Sequence, residues 1–103
     1  MPAYMIVSAK LSDRQAFIEG YGKAAAELLP RFGGRYLLRA PGAELLEAAP
    51  GGWGDGVSMV ISEWPDTAAA MAFWNSPEYA AARKLREGLA EVQVMLIEAP
   101  PIS

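Results

Sequence analysis

Two side chains within residues 71–88, Tyr79 and Arg83, have the types and the spacing to bind an anionic or enol-like ligand. Residues four apart on a helix lie on the same face, so a phenol and a guanidinium would be presented together. A guanidinium binds carboxylates and other oxyanions through planar, paired hydrogen bonds. The pair therefore predicts contacts with a small molecule in a cavity and makes Tyr79 and Arg83 candidate ligand-binding residues.

The same stretch also has a structural interpretation. Ser76 is a favoured helix N-cap, and Pro77 suits the first helical turn. The acidic residue that follows complements the positive end of the helix, and the two neighbouring aromatic side chains would fill a junction with a sheet. The two interpretations are compatible, because a well-fixed helix start also positions Arg83 or Arg86.

Two further arginines, Arg35 and Arg39, lie in the predicted strand RYLLRA (Arg35–Ala40) and share one face of it with Leu37. Beside Trp64 on the open side of a sheet, they would form a clamp for a carboxylate. An edge strand protected by charge explains the same pattern equally well. Trp64 is then either a ligand contact or an anchor of a dimer interface.

Two other residues raise separate hypotheses. Asp55 lies in a glycine-rich loop, where it would be a general base or, more commonly, a solvated turn residue. Removal of Met1 would make Pro2 a secondary amine at a strand end, which is the base of the tautomerase superfamily. The rest of the sequence does not resemble that superfamily.

Composition argues against several kinds of site. The 103 residues include no Cys and no His, so neither thiolate chemistry nor a histidine triad is available and a transition-metal site is not expected. The net charge of -3, with scattered basic residues, does not suit nucleic acid. No apolar run approaches the ~20 residues that span a bilayer. We expect a cytoplasmic protein without a cofactor, metal, nucleic acid or membrane partner.

Hydrophobic periodicity and turn signals outline the elements that must position these residues. Strands are predicted at residues 3–10, 35–40, 57–64 and 91–99, and helices at residues 13–30, 67–74 and 77–88. Residues 43–48 either continue the second strand or pair back on it. The order predicts one α+β domain over residues 1–103, a ferredoxin-like βαββαβ sandwich with an antiparallel sheet and helices on one face.

The other face of this sheet is predicted to be partly apolar. It would carry Tyr4, Ile6, Ser8, Lys10, Ser58, Val60, Ser62, Trp64, Gln93 and Met95. Such a face is too apolar to be left in water, and two copies packed face to face would cover it around an enclosed, partly polar cavity. We therefore expect a homodimer, with a ligand pocket between the sheet and the helix pair.

Several fragments resemble a known family. Residues 33–42, GGRYLLRAPG, are similar to its Gly-Gly-Arg-aromatic-Leu-x-Arg-Gly-Gly segment. Residues 63–86 resemble its Glu-Phe-Pro-Ser start, its Ala-rich helix and its Trp-x-Ser-Pro-Glu-Tyr run. The chain thus resembles the domain-of-unknown-function 1330 family of the dimeric α+β barrel superfamily. It departs from that pattern at Trp64, where Phe is usual, and at Ala40-Pro41, where a Gly is expected first.

The resemblance implies a homodimer with opposed sheets and a small-molecule cavity in each subunit, and it carries over no catalytic residue. Related branches include cofactor-free monooxygenases of aromatic polyketides and small lactone isomerases, which is an analogy of fold. We expect a cofactor-independent enzyme or binder of a small anionic or aromatic metabolite. The alternative is a non-catalytic homodimeric ligand-binding or interaction module. The candidate ligand contacts are Arg35, Arg39, Trp64, Tyr79 and Arg83.

Overall fold

A computed structural model describes residues 1–102. Four strands form one antiparallel sheet in the order β2-β3-β1-β4. They are β1 (Ala3–Leu11), β2 (Arg35–Ala40), β3 (Ser58–Trp64) and β4 (Ala90–Glu98). The α-helices are α1 (Arg14–Phe17), α2 (Lys23–Leu28), α3 (Thr67–Trp74) and α4 (Pro77–Lys84). The predicted ferredoxin-like βαββαβ order is confirmed.

The first helical segment runs without a break from α1 through a π-helical turn (Ile18–Gly22) and α2 to a 3₁₀ turn (Leu29–Phe32). It begins at Asp13, whose carboxylate accepts a hydrogen bond from the Ala16 backbone N–H at 3.1 Å. It ends at Gly33, whose φ of 89° is left-handed and suits glycine. The π-helical turn adds a residue to the local helix, a feature frequently found at functional sites.

The second helix pair follows the predicted capping pattern. Asp66 accepts a hydrogen bond from the Ala69 N–H at 2.8 Å and starts α3. The Ser76 hydroxyl accepts one from the Tyr79 N–H at 3.1 Å, and Pro77 occupies the first turn of α4. The structural interpretation of this stretch is therefore confirmed, and the cap fixes the position of Tyr79 relative to the sheet.

The core lies between the helices and one face of the sheet and is centred on three aromatic rings. Phe73 lies between Trp64 and Tyr79, with ring centroids 4.9 and 4.5 Å away, and all three side chains are buried. The indole N–H of Trp64 donates to the Ser62 hydroxyl at 3.0 Å, which satisfies a buried donor.

The predicted orientation of β3 is wrong. Alternation groups its residues correctly, but the face that carries Ser58, Val60, Ser62 and Trp64 packs toward the helices. The large Trp64 ring explains this orientation. It packs among the aromatic side chains of the core, where only 1% of the residue is exposed. The open face instead carries Met59, Ile61 and Glu63, opposite Ser8, Ile6 and Tyr4 of β1.

The segment between β2 and β3 contains no strand, so neither predicted arrangement of residues 43–48 occurs. Two backbone hydrogen bonds close its base, from the Ala43 N–H to the Val57 carbonyl at 2.9 Å and from the Gly56 N–H to the Ala43 carbonyl at 2.7 Å. Asp55 accepts a hydrogen bond from the Leu45 N–H at 3.2 Å. This contact gives Asp55 a structural role within an exposed loop.

We expect Gly34→Ala to destabilise the fold, because a Cβ there would lie 2.8 Å from two ring carbons of Trp64 and 2.9 Å from Leu29 Cδ2. Overpacking of this kind costs about 1–3 kcal/mol. Gly20→Ala is the matched control, since its Cβ would meet Leu85 Cβ at an ordinary 3.7 Å. Urea unfolding followed by tryptophan fluorescence measures both, and an unchanged midpoint for Gly34→Ala would contradict this packing.

Candidate functional site

A cavity of about 390 Å³ lies between the sheet and the first helical segment. Its wall is mostly apolar, with Met5, Val7 and Ala9 of β1 facing Phe17 and Ala25 of the helical segment. Volume and lining are those of a small-molecule pocket, which typically encloses about 300–1,000 Å³. The predicted pocket between sheet and helices is therefore present. It lies on the helix side of the sheet, and the cavity expected between two facing copies stays a prediction.

Tyr21 and Tyr79 form a hydroxyl pair in the cavity wall. Their oxygens are 2.7 Å apart, although the residues come from the π-helical turn and from α4. Burial, followed by the effects of the neighbouring Tyr79, raises the pKa of Tyr21 above its usual range, while Arg86 opposes the rise. Tyr21 is therefore a neutral hydroxyl at physiological pH. It can donate a hydrogen bond to a ligand oxygen, and it is not a base.

Two arginines line the cavity where it meets solvent. Arg39 is exposed, and its guanidinium lies 4.4 Å from the ring centroid of Tyr36. Arg14 is also exposed, and it donates a hydrogen bond to the Ser58 hydroxyl at 3.1 Å. Burial raises the pKa of Tyr36, partly offset by Arg39, so this phenol is also neutral. An apolar cavity with cationic groups at its rim suits a molecule with an apolar body and an anionic end.

The predicted common face of Arg35 and Arg39 is wrong. The pairing of β2 with β3 shifts register between Tyr36 and Leu38, which inserts a β-bulge. A bulge reverses the alternation beyond it, so the two arginines lie on opposite faces. Arg35 forms an ion pair with Glu63 at 2.6 Å and does not line the cavity, whereas Arg39 does.

The remaining predicted contacts, Trp64, Tyr79 and Arg83, lie in or beside the aromatic cluster centred on Phe73. Tyr79 lies in the cavity wall. Trp64 is buried against Phe73 and outside the wall, so it is neither an open-face anchor nor a cavity residue. Arg83 lies over the Trp74 ring at 4.4 Å, also outside the wall. Ligand contacts for all these residues stay predictions.

Sequence reasoning missed Tyr21, Tyr36 and Arg14. Tyr21 fitted the apolar stripe of a regular helix. The sequence signal that could have singled it out is its position between Gly20 and Gly22, which lie in the π-helical turn. Tyr36 pairs with Ser62 on the cavity side of the sheet and Arg14 reaches Ser58, and both contacts depend on tertiary pairing that has no local sequence signal.

The tautomerase hypothesis gains no support from the position of Pro2. Its carbonyl accepts a backbone hydrogen bond from Ala99 at 3.1 Å, and it lies outside the wall of the cavity. Arg35 lines the same surface depression as Pro2, and it is already paired with Glu63. Within residues 1–102, no group of three or more acidic side chains is arranged to hold a metal ion. No helix in the same range is long and apolar enough to cross a membrane.

A family model described as a domain of unknown function, DUF1330, matches residues 2–100. The chain belongs to the DUF1330 family. The predicted resemblance is thereby confirmed over nearly the whole sequence. A comparison with curated proteins finds no match.

Solved structures similar to this DUF1330 protein have the same fold. A protein of unknown function from Rhodopseudomonas palustris aligns with a TM-score of 0.76 at 19% identity, over 97% of this chain and 83% of the other. SnoaB, a cofactor-independent oxygenase from Streptomyces nogalater, aligns with 0.68 at 15% identity, over 97% and 94%. A dimeric protein of unknown function with a ferredoxin-like fold from Bacteroides fragilis aligns with 0.61 at 18% identity, over 95% and 96%. At such identities the likeness shows the fold alone.

We expect Tyr21→Phe to change how stability depends on pH. The folded pKa of Tyr21 is raised, so the unfolded chain releases this proton first, at about pH 10. The contribution to stability is full below that pH and declines as pH rises above it, by at most about 1.4 kcal/mol per pH unit. Urea unfolding across this range should show a steeper alkaline decline for the wild type than for Tyr21→Phe. Parallel curves would contradict the neutral, buried assignment.

Proposed function

We propose that this DUF1330 protein binds a small, largely apolar, aromatic metabolite with an anionic or enolic oxygen. The observation that carries the proposal is the open cavity of about 390 Å³, which no described side chain fills. A module built only for protein contacts has no need of such a space, since ordinary cores are close-packed. The apolar wall would hold the body of the metabolite, and Arg14 and Arg39 would attract its charged end.

The polar groups in the wall suit binding better than general acid-base catalysis. Its titratable side chains are Arg14, Arg39 and three tyrosines, and no Asp or Glu of residues 1–102 lines it. The Tyr21–Tyr79 pair would donate a hydrogen bond to a ligand oxygen, which stabilises an enolate or phenolate without taking its proton. A cofactor-independent reaction at this site would therefore rely on a substrate that ionises on its own. The fold shared with SnoaB is compatible with such chemistry.

The second candidate function, a homodimeric module, is favoured by the open sheet face. Leu38, Met95 and Ile97 are 43%, 61% and 53% exposed and lie on strands whose open face also carries Ile6 and Ile61. A contiguous apolar patch of this kind marks an interaction site in soluble proteins. A second copy of the chain is the proposed occupant, since a neighbour of the same fold is described as dimeric. Ligand binding and dimerisation use opposite faces and can coexist.

We expect 1-naphthoate to bind the wild type, and Arg39→Gln to weaken binding about tenfold, the loss of one charge-assisted hydrogen bond. Arg35→Gln is the matched control, because the same change on the same strand falls on the opposite face. Isothermal titration measures the affinity of each variant for 1-naphthoate, and methyl 1-naphthoate serves as the uncharged probe. The proposal fails if naphthoate does not bind, or if the two variants lose equal affinity.

We expect Met95→Lys to convert a dimer into a monomer, because it places a charge in the apolar patch of the open face, opposite Ile6. Met71→Lys is the control, an exposed methionine on α3 away from that face. Sedimentation velocity reports the mass of each. A wild-type monomer, or a Met95→Lys protein that remains dimeric, would refute this interface. The monomeric variant should still bind 1-naphthoate, because the cavity lies across the sheet.

A further inference from the structure

We propose that the protein has a second binding site, for a phosphoryl group, formed by Arg83 and Arg86 outside the cavity. Both arginines line a solvent-open depression of about 520 Å³ between α4 and the start of β4. Its lining shares no residue with that of the cavity. The site is therefore separate from the proposed metabolite pocket.

The charge of the depression favours an anion with more than one negative charge. Arg83, Lys84 and Arg86 contribute three cationic groups to its wall, against the single carboxylate of Glu87. Within residues 1–102, neither arginine forms an ion pair, although Arg31 and Arg35 each do. The local charge is thus uncompensated in a protein whose net charge is -3.

Aromatic rings hold the two guanidinium groups in place. The Arg83 guanidinium lies 4.4 Å from the Trp74 ring centroid and 5.2 Å from that of Tyr79. The Arg86 guanidinium lies 4.8 Å from the ring centroid of Tyr21. Stacking of this kind is favourable and reduces the entropy lost when a ligand is bound. The arginines are therefore ordered before any anion arrives.

Both arginines also have donors that the protein leaves unsatisfied. Arg83 Nε and Arg86 Nη1 are buried and have no hydrogen-bond partner within the described residues. A buried donor without a partner destabilises the folded state, so two in one site are unusual. A structural pair of arginines would be expected to bind a carbonyl or a carboxylate. The two buried nitrogen atoms are shielded from solvent, so an oxyanion in the depression would bind the other nitrogens of the two guanidinium groups.

A phosphoryl group matches this arrangement better than a carboxylate. It presents three oxygens and a charge between about -1.5 and -2, which two guanidinium groups can neutralise through paired hydrogen bonds. The bound phosphoryl group would belong either to free phosphate or to the phosphate ester of a metabolite. Both share the chemistry that the two arginines recognise.

Isothermal titration with inorganic phosphate and with phenyl phosphate tests the site. We expect Arg86→Gln to weaken binding of both probes at least about tenfold, the loss of one charge-assisted contact. We expect Arg83→Lys, which keeps the charge and loses the planar fork, to weaken it as well. Glu87→Gln should strengthen binding, because it removes the opposing carboxylate without touching the aromatic cluster. Tighter binding of phenyl phosphate identifies an ester as the source, and equal binding identifies the free ion.

Arg31→Gln is the matched control, since it removes a similar charge from an exposed arginine outside the depression. Thermal unfolding of every variant checks that the fold is retained. The proposal is overturned if phosphate does not bind the wild type, or if Arg31→Gln weakens it as much as Arg86→Gln. It is also overturned if Glu87→Gln, whose side chain is exposed, leaves the affinity unchanged. Arg39→Gln should not affect phosphate binding, which separates this site from the metabolite cavity.

Discussion

The hydroxyl contact between Tyr21 and Tyr79 is the interaction on which the arrangement of both proposed sites depends. It joins the first helical segment to α4 across 58 positions of sequence, and it does so in the wall of the cavity. On one side of the pair lies the apolar space against the sheet. On the other, the same two rings contact the guanidinium groups of Arg83 and Arg86. The pair thus separates a mostly apolar cavity from a cationic surface depression.

A second constraint is the bulge in β2, which distributes positive charge between the two faces of the sheet. Arg35, before the bulge, is neutralised by Glu63 on the open face proposed for dimerisation. Arg39, beyond it, reaches the cavity rim and stacks on Tyr36. A regular strand would have directed both charges to one face. One inserted residue therefore allows an apolar interface and a cationic pocket mouth to share a short strand.

Local signals predicted the fold well because its caps and turns act over a few residues. Asp13, Asp66 and Ser76 each bind a backbone N–H three positions on, and the left-handed Gly33 ends the first helical segment. The candidate site was predicted only in part. Alternation shows which residues of a strand share a face, but it does not show which face the helices cover. Trp64 was therefore predicted on the open face, although it lies in the core. Only tertiary pairing, not local spacing, brings Tyr21 to Tyr79.

Filling the cavity is the most direct test of whether it is space for a ligand. Ala25 is buried in its wall, so Ala25→Leu would place extra carbon atoms in that space. Native mass spectrometry with 1-naphthoate, alongside urea unfolding, compares the variant with the wild type. The account predicts one ligand per wild-type subunit, and a variant that stays folded but binds none. A folded Ala25→Leu protein that binds naphthoate as tightly as the wild type would contradict it.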